Sequence, residues 1–482
     1  GAAVRSPALE LKLREYGLRE LQRAVTGENG ESVDSGLGDT SVSQRVHEFR
    51  DWVEERLPRV VRRAPGGFFQ AALGCVGNSL EGDKLAQDTQ EYTLCVWTRD
   101  LCLVSLALHM AGDTKEAAAA ILDLARLYNR GDHASTMEAL ISADGEGLTY
   151  QTCAPVRFEA ATGNRTEWGH NQMDAIGLFL VAYGEVTRGG SLQPDITVVG
   201  RFVRYLRAVK YWELKDWGHW EEPPQRLRTS SVGCAVAGLR AAGEMLSSES
   251  AASLGLNQLI ERGEAVLRTR ISADFAWEAE GRGDDSAMLT LLLPPIVERL
   301  GLSPQQRSSI ATVAERLQRP HGVLRYSGDS YYNADYQQRL RNWLEQRGAV
   351  GTSAYPDHEE RDSWAVAGCE AQWTIFEPVL LLHRIWRLQH QQQHSADTAN
   401  GEHGAAAVHH SMLRILAAIE EEASPEKPGD VLLHVHESYA VVRGTRVPND
   451  VQDLLWAVAY VRMALRAYAD AIDSGLLTAR AE

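Results

Sequence analysis

Residues 172–187 read Gln-Met-Asp-Ala-Ile-Gly-Leu-Phe-Leu-Val-Ala-Tyr-Gly-Glu-Val-Thr, apolar or small on almost every face of a helix. The next periodic stretch, 196–213, has a clear charged face. A helix that is apolar all round is buried, and a one-sided helix lies on the outside. The same pairing recurs along the chain. The stretches opening at 98, 229 and 371 are of the first kind, and those opening at 45, 115, 256 and 303 of the second. About a dozen stretches with a period near 3.6 can be counted. Rough alternation of inner and outer helices predicts an all-α fold, an (α/α)6 toroid with a pocket at one end. The competing arrangement is an open solenoid, but no fixed-period sequence repeat of the kind such arrays show is present. Strand-like alternation is scarce, as at Val431 to Val435.

The expected organisation is one domain over 45–482, preceded by an N-terminal extension over 1–44. That extension holds a short amphipathic pattern and then, from Thr26 to Ser43, an aperiodic Gly-, Ser- and acid-rich run read as mobile. A polar insertion is expected near 390–406.

The 482 residues carry a formal charge of −16, which excludes nucleic acid and an anionic membrane surface as partners because both are polyanions. The six cysteines form no CxxC and no dense framework, so they read as reduced thiols of a cytoplasmic protein. No apolar run reaches the roughly 18 residues of a membrane span. The histidine pairs at 409–410 and 434/436 lack partner ligands at metal spacing, so no metal and no cofactor is expected.

Twelve tryptophans suit a protein that handles carbohydrate. Asp216-Trp217-Gly218-His219-Trp220-Glu221-Glu222 sets two indoles beside two adjacent carboxylates. Indoles give flat apolar faces for sugar rings, and a low-dielectric wall can keep a nearby carboxyl protonated near neutral pH. Four further segments carry similar chemistry. They are Trp97-Thr98-Arg99-Asp100, Trp168-Gly169-His170-Asn171-Gln172-Met173-Asp174, Arg325-Tyr326 with Asp329 and Tyr331, and His436-Glu437-Ser438-Tyr439 followed by Trp456.

In this order and at these spacings the segments resemble glycoside hydrolase family 15, the glucoamylase family. In motif style they are nearer the N-terminal domain of the phosphorylase kinase α and β subunits, from the same superfamily. The resemblance spans roughly 45–475. It implies an inverting, exo-acting hydrolase that releases glucose from short α-glucosides, with an α-glucoside oligosaccharide or disaccharide as partner. It equally admits a non-catalytic carbohydrate-sensing domain like that of the kinase subunits, and leaves a protein partner open.

Carried over by position, Glu221 matches the general acid, supported by Glu222, and Glu437 the general base. Glu370 is the competing base. Arg99 and Asp100 would grip the terminal glucose, Trp168 and Trp220 would wall the pocket, and Arg325 would contact the sugar. Trp97, Gln172, Asp174 and Tyr326 complete the expected binding set. Inversion needs one protonated carboxyl and one carboxylate about 6.5–9.5 Å apart, with a water between. The indoles and Glu222 are expected to raise Glu221, and the charge of His436 to keep Glu437 ionised. The chain departs from the family around Tyr92, Thr93 and Cys95, where the usual tyrosine is shifted, and at Ser438-Tyr439, where glucoamylases commonly have Gln.

Overall fold

The computed structural model describes residues 6–16, 18, 41–60, 72–75, 94–149, 151–188, 192–346, 358–394, 398–425, 427, 429–442, 445–449 and 451–477. Thr98–Ala111, apolar or small at nearly every position, packs on Met173–Thr187, and that helix on Thr229–Met245. The ring continues through the 3-10 helix Ser286–Leu292 with Pro294–Leu300, then Phe376–His394, then Leu455–Asp473. This last helix returns to Thr98–Ala111 and closes the circle.

Behind the ring stand Thr114–Asn129, Ile196–Ala208, Leu256–Arg270, Pro304–Leu317 and Thr398–Ala417. The sixth outer place is filled by Val42–Arg56, from near the chain start, which lies against the last helix. The architecture is the all-α (α/α)6 toroid, closed rather than solenoidal.

Composition explains which helix goes where. In Met173–Thr187 every residue but Val186 is buried. Full burial of each Val, Leu or Phe is favourable by about 1.5–3 kcal/mol, so this helix is stable only inside. Ile196–Ala208 buries one side and begins at Asp195, whose carboxylate accepts from the N–H groups of Thr197 and Val198. The Met173 and Thr229 helices meet backbone to backbone. A Cβ at Gly177 would lie 2.2 Å from the Cys234 carbonyl carbon, so only glycine fits there.

The chain start contributes more than a tail. The helix Pro7–Glu15 buries Leu9 and Leu13, and Ser6 and the Ala8 N–H both donate to Glu421. The expected mobile run falls mostly on residues outside those described, and helix begins at Val42. In the polar run 390–406, the described residues 390–394 end the helix Phe376–His394 and 398–406 open the helix Thr398–Ala417.

Short strands, almost unseen in the sequence, shape the pocket end. A five-stranded antiparallel sheet runs in the order Thr445–Pro448, Ser438–Val442, Gln372–Trp373, Gly322–Leu324, Gln318–Arg319. Its register pairs Leu324 with Gln372 and Trp373 with Ser438. Arg325 and Glu370, distant in sequence, therefore flank one end of the central strands, while Glu437 lies past the other end, beside Thr374. A two-stranded pair, Cys95–Trp97 with Arg157–Glu159, sets Trp97 opposite Arg157. Among the described residues, no helix is long and apolar enough to cross a membrane.

Candidate active site

The inner helices begin side by side, and their first turns carry the polar residues of the site. Asp100 and Asp174 lie in first turns, where an acid complements the helix dipole. Arg99 joins three segments. Its Nε donates to Asp174 Oδ2 (2.6 Å), and Nη2 to Gln172 Oε1 (2.6 Å) and Gly218 O (2.9 Å). Nη1 donates to Glu221 Oε1 (2.8 Å). Burial would lower Asp174's tendency to ionise, but Arg99 and His219 outweigh it and hold Asp174 well below the usual carboxylate range.

Glu221 sits in a tight turn with φ +57°, next to Gly218 at φ +62°. Asp216 anchors the same turn by accepting the Met173 N–H (2.9 Å), which caps the neighbouring inner helix. The Glu221 side chain is 15% exposed, and its second oxygen accepts from Trp168 Nε1 (2.6 Å). Trp168 is itself backed by the Arg157 guanidinium, which lies 4.4 Å from its ring and 4.6 Å from that of Trp97. Trp220 is buried and donates to Asp285 Oδ1 (2.7 Å).

Three sequence expectations change here. Glu222 was to sit with Glu221 and raise it. Adjacent residues of the turn diverge instead, and Glu222 points into Arg325, Arg361 and Arg282, with Tyr326 Oη donating at 2.9 Å. Burial would raise Glu222, but the three guanidiniums prevail and hold it well below the usual range.

Arg325 was to reach a sugar. It is buried, paired with Glu222 and with Asp329 (2.8 Å), and boxed by the rings of Trp220, Tyr331 and Trp373.

His436 was to keep Glu437 ionised. Successive residues of an extended segment face opposite ways, and His436 Nε2 meets Glu420 (3.3 Å) instead. Glu437 is left buried, and burial together with nearby Asp100 pushes it up to about 8.

Asp100 is the link between the two glutamates. Burial raises it to about 7, against the pull of Arg99 and with the help of Glu221, while its own charge raises Glu437. Asp100 thus couples electrostatically to Glu221 on one side and to Glu437 on the other. Glu370 is buried and accepts from the Gly328 N–H (3.0 Å). Trp456 opens the last inner helix, with its ring edge-on to His219 at 5.4 Å.

Two cavities adjoin the site among the described residues. One of ≈ 290 Å³ is lined by Glu222, Arg226, Arg282, Tyr326 and Asp362. Another of ≈ 250 Å³ lies against Trp168, with Gln151, Arg165 and Glu167. Tyr92 and Thr93 lie outside the described residues. No group of three or more His, Cys, Asp and Glu is placed to hold a metal among those described.

Residues absent from the sequence reading also matter. Arg282 and Arg361 clamp Glu222, and Asn449 donates to Glu437 Oε2 (2.8 Å). No motif surrounds them, because their places depend on loops and strand ends that carry no periodic signal.

Comparison with known proteins bears on the family and the fold. The model of glycosyl hydrolases family 15 matches residues 70–374. A probable phosphorylase b kinase regulatory subunit alpha of Caenorhabditis elegans is 29% identical over 185 residues, covering 34% of this chain. The match spans only 14% of that relative's length. A wild-type glycosidase structure superposes with TM-score 0.59 at 17% identity, covering 93% of this chain and 100% of that one. A glycosidase variant in complex with glucose gives 0.58 at 18%, with the same coverage. The family 15 glucoamylase of Hypocrea jecorina gives 0.54 at 15%, over 89% of this chain and 73% of that one. At such identities the structures share the fold alone, whereas the family model covers more than half of the sequence. The chain belongs to glycosyl hydrolases family 15.

Proposed function

We propose that the chain is an inverting, exo-acting hydrolase that releases glucose from short α-glucosides, with Glu221 as general acid and Glu437 as general base. The observation that supports this reading is the Arg99-Asp100 pair: Arg99 donates to Glu221 Oε1 at 2.8 Å, and the charge of its neighbour Asp100 raises the buried Glu437. Inversion needs two carboxyl groups facing each other across an anomeric carbon and a water. Asp100 and Arg99 would hold the terminal sugar between them. For Glu221 to protonate the leaving oxygen, Arg99 must release Oε1, and sugar hydroxyls competing for the guanidinium would draw it away. For Glu437 to accept a proton it must first lose its own, so the base works best where it is ionised.

A second reading has its own support. Arg99 donates to the Glu221 carboxylate, and a kinase regulatory subunit is among the relatives. Both suit a domain that binds carbohydrate without cleaving it. Incubation with maltose, isomaltose, trehalose and maltotriose separates the two. Glucose release that Glu221→Gln abolishes supports the hydrolase. Calorimetric binding of maltose with no release from any of the four supports the sensor.

A further inference from the structure

Glu437 has its main chain fixed from two sides. Its N–H donates to Val451 O (3.2 Å), and its carbonyl accepts from both the N–H and the hydroxyl of Thr374, each at 3.2 Å. The side chain lies buried, and its Oε2 accepts from Asn449 Nδ2 at 2.8 Å. Asn449 is buried as well and immediately follows the strand Thr445–Pro448. Its backbone N–H donates to Ser438 O (3.0 Å), and its Oδ1 accepts the Ser438 N–H (3.4 Å). With the amide oxygen engaged by the main chain next to Glu437, the amide nitrogen has one direction left, toward the carboxylate.

The charged groups that face Glu437 are Asp100, which repels its ionised form, and Arg325, which favours it. His436, its neighbour in sequence, is turned to Glu420.

We propose that Asn449 is the positioning residue of Glu437, its amide N–H occupying Oε2 so that Oε1 alone is left to accept a proton. The proposal rests on the reading of Glu437 as general base. A base that activates water must offer a lone pair in one direction. A buried carboxyl with both oxygens free would sample more than one. The Asn449 hydrogen bond removes that freedom, and as a donor to the ionised form it also opposes the burial that keeps Glu437 protonated.

The test uses Asn449→Asp, which keeps the size and loses the amide donor, and Asn449→Leu, which loses all polarity. Removing a hydrogen bond to a charged group is expected to lower kcat for glucose release by about 10- to 100-fold. KM should stay within about twofold, since Asn449 is placed against the carboxylate and not the sugar. The acidic limb of the kcat/KM profile should move to higher pH in both variants. Folded variants with unchanged kcat and an unchanged acidic limb overturn the proposal.

If the wild-type protein releases glucose from none of the four sugars, the hydrolase reading fails by itself. The positioning claim is then read from the 13C-carboxyl NMR titration of Glu437, assigned with Glu437→Gln. In Asn449→Leu its midpoint is expected about one to two pH units higher, and coincident titration curves overturn it.

Discussion

A part-buried carboxylate is defined by what touches it, and Glu221 is touched by two donors. Trp168 gives one, through an indole N–H 2.6 Å from Oε2. Trp168→Phe keeps an aromatic face beside Arg157 while deleting that donor and part of the indole's area. A hydrogen bond of this charged kind is expected to cost about 10-fold or more in kcat when lost, with the melting temperature nearly unchanged. Steady-state kinetics and a thermal melt on the variant check this. An unchanged kcat would mean that the indole serves as wall only. The identity of Glu221 was legible because Trp220-Glu221-Glu222 is a contiguous motif. Its electrostatics were not, because side chains of adjacent residues in a turn diverge. The same holds for Glu437 and His436: neighbours along an extended segment are not neighbours in space, so the charge that matters to Glu437 comes from Asp100.

At the level of elements, the ring depends on how closely the Met173 and Thr229 helices approach. Gly177→Ala would gain about 1 kcal/mol from helix propensity. The new Cβ, however, would lie 2.2 Å from the carbonyl carbon and 2.3 Å from the oxygen of Cys234, backbone atoms that move only with the whole helix. Steric overlap should win, with a net loss of about 1–3 kcal/mol. Chemical denaturation should show a lower midpoint, and an equal or higher one would disprove the close contact. The inner helices were legible from their lack of a polar face. The five-stranded sheet was not legible. Its strands are two to five residues long, too short for alternation to show, and long-range pairing rather than local propensity creates them. That sheet sets Arg325 and Glu370 at one end of its central strands and Glu437 at the other, so the half of the candidate site that includes Glu437 was the harder half to read.

Across the whole molecule, the pocket end concentrates buried acids, and this sets a pH dependence for folding. Burial raises Asp100 and Asp216 to about 7 and Glu437 to about 8, and it raises Glu278 as well. Each holds its proton in the folded chain to a higher pH than in the unfolded chain, where carboxyls titrate near pH 4. The folded state therefore binds more protons between about pH 4 and 8, and this contribution to stability is lost as pH rises through that window. Glu222 and Asp174, held low by arginines, act oppositely: their contribution is present above about pH 4 and lost on acidification below it. The melting temperature should fall from pH 6 to pH 9, and Glu437→Gln should flatten that fall. A melting temperature that climbs over this range would contradict the buried-acid account.

The toroid itself was legible in the sequence because twelve helical places of two kinds leave few ways to bury every apolar face. Whether two of its acids act on one sugar is a separate matter, read most directly by 1H NMR of the first glucose released from maltotriose, whose reducing end departs within maltose. Opposed action of Glu221 and Glu437 predicts β-glucose as the initial product, mutarotating afterwards, with no signal from Glu221→Gln or Glu437→Gln. Initial α-glucose, or release that survives both substitutions, would contradict it.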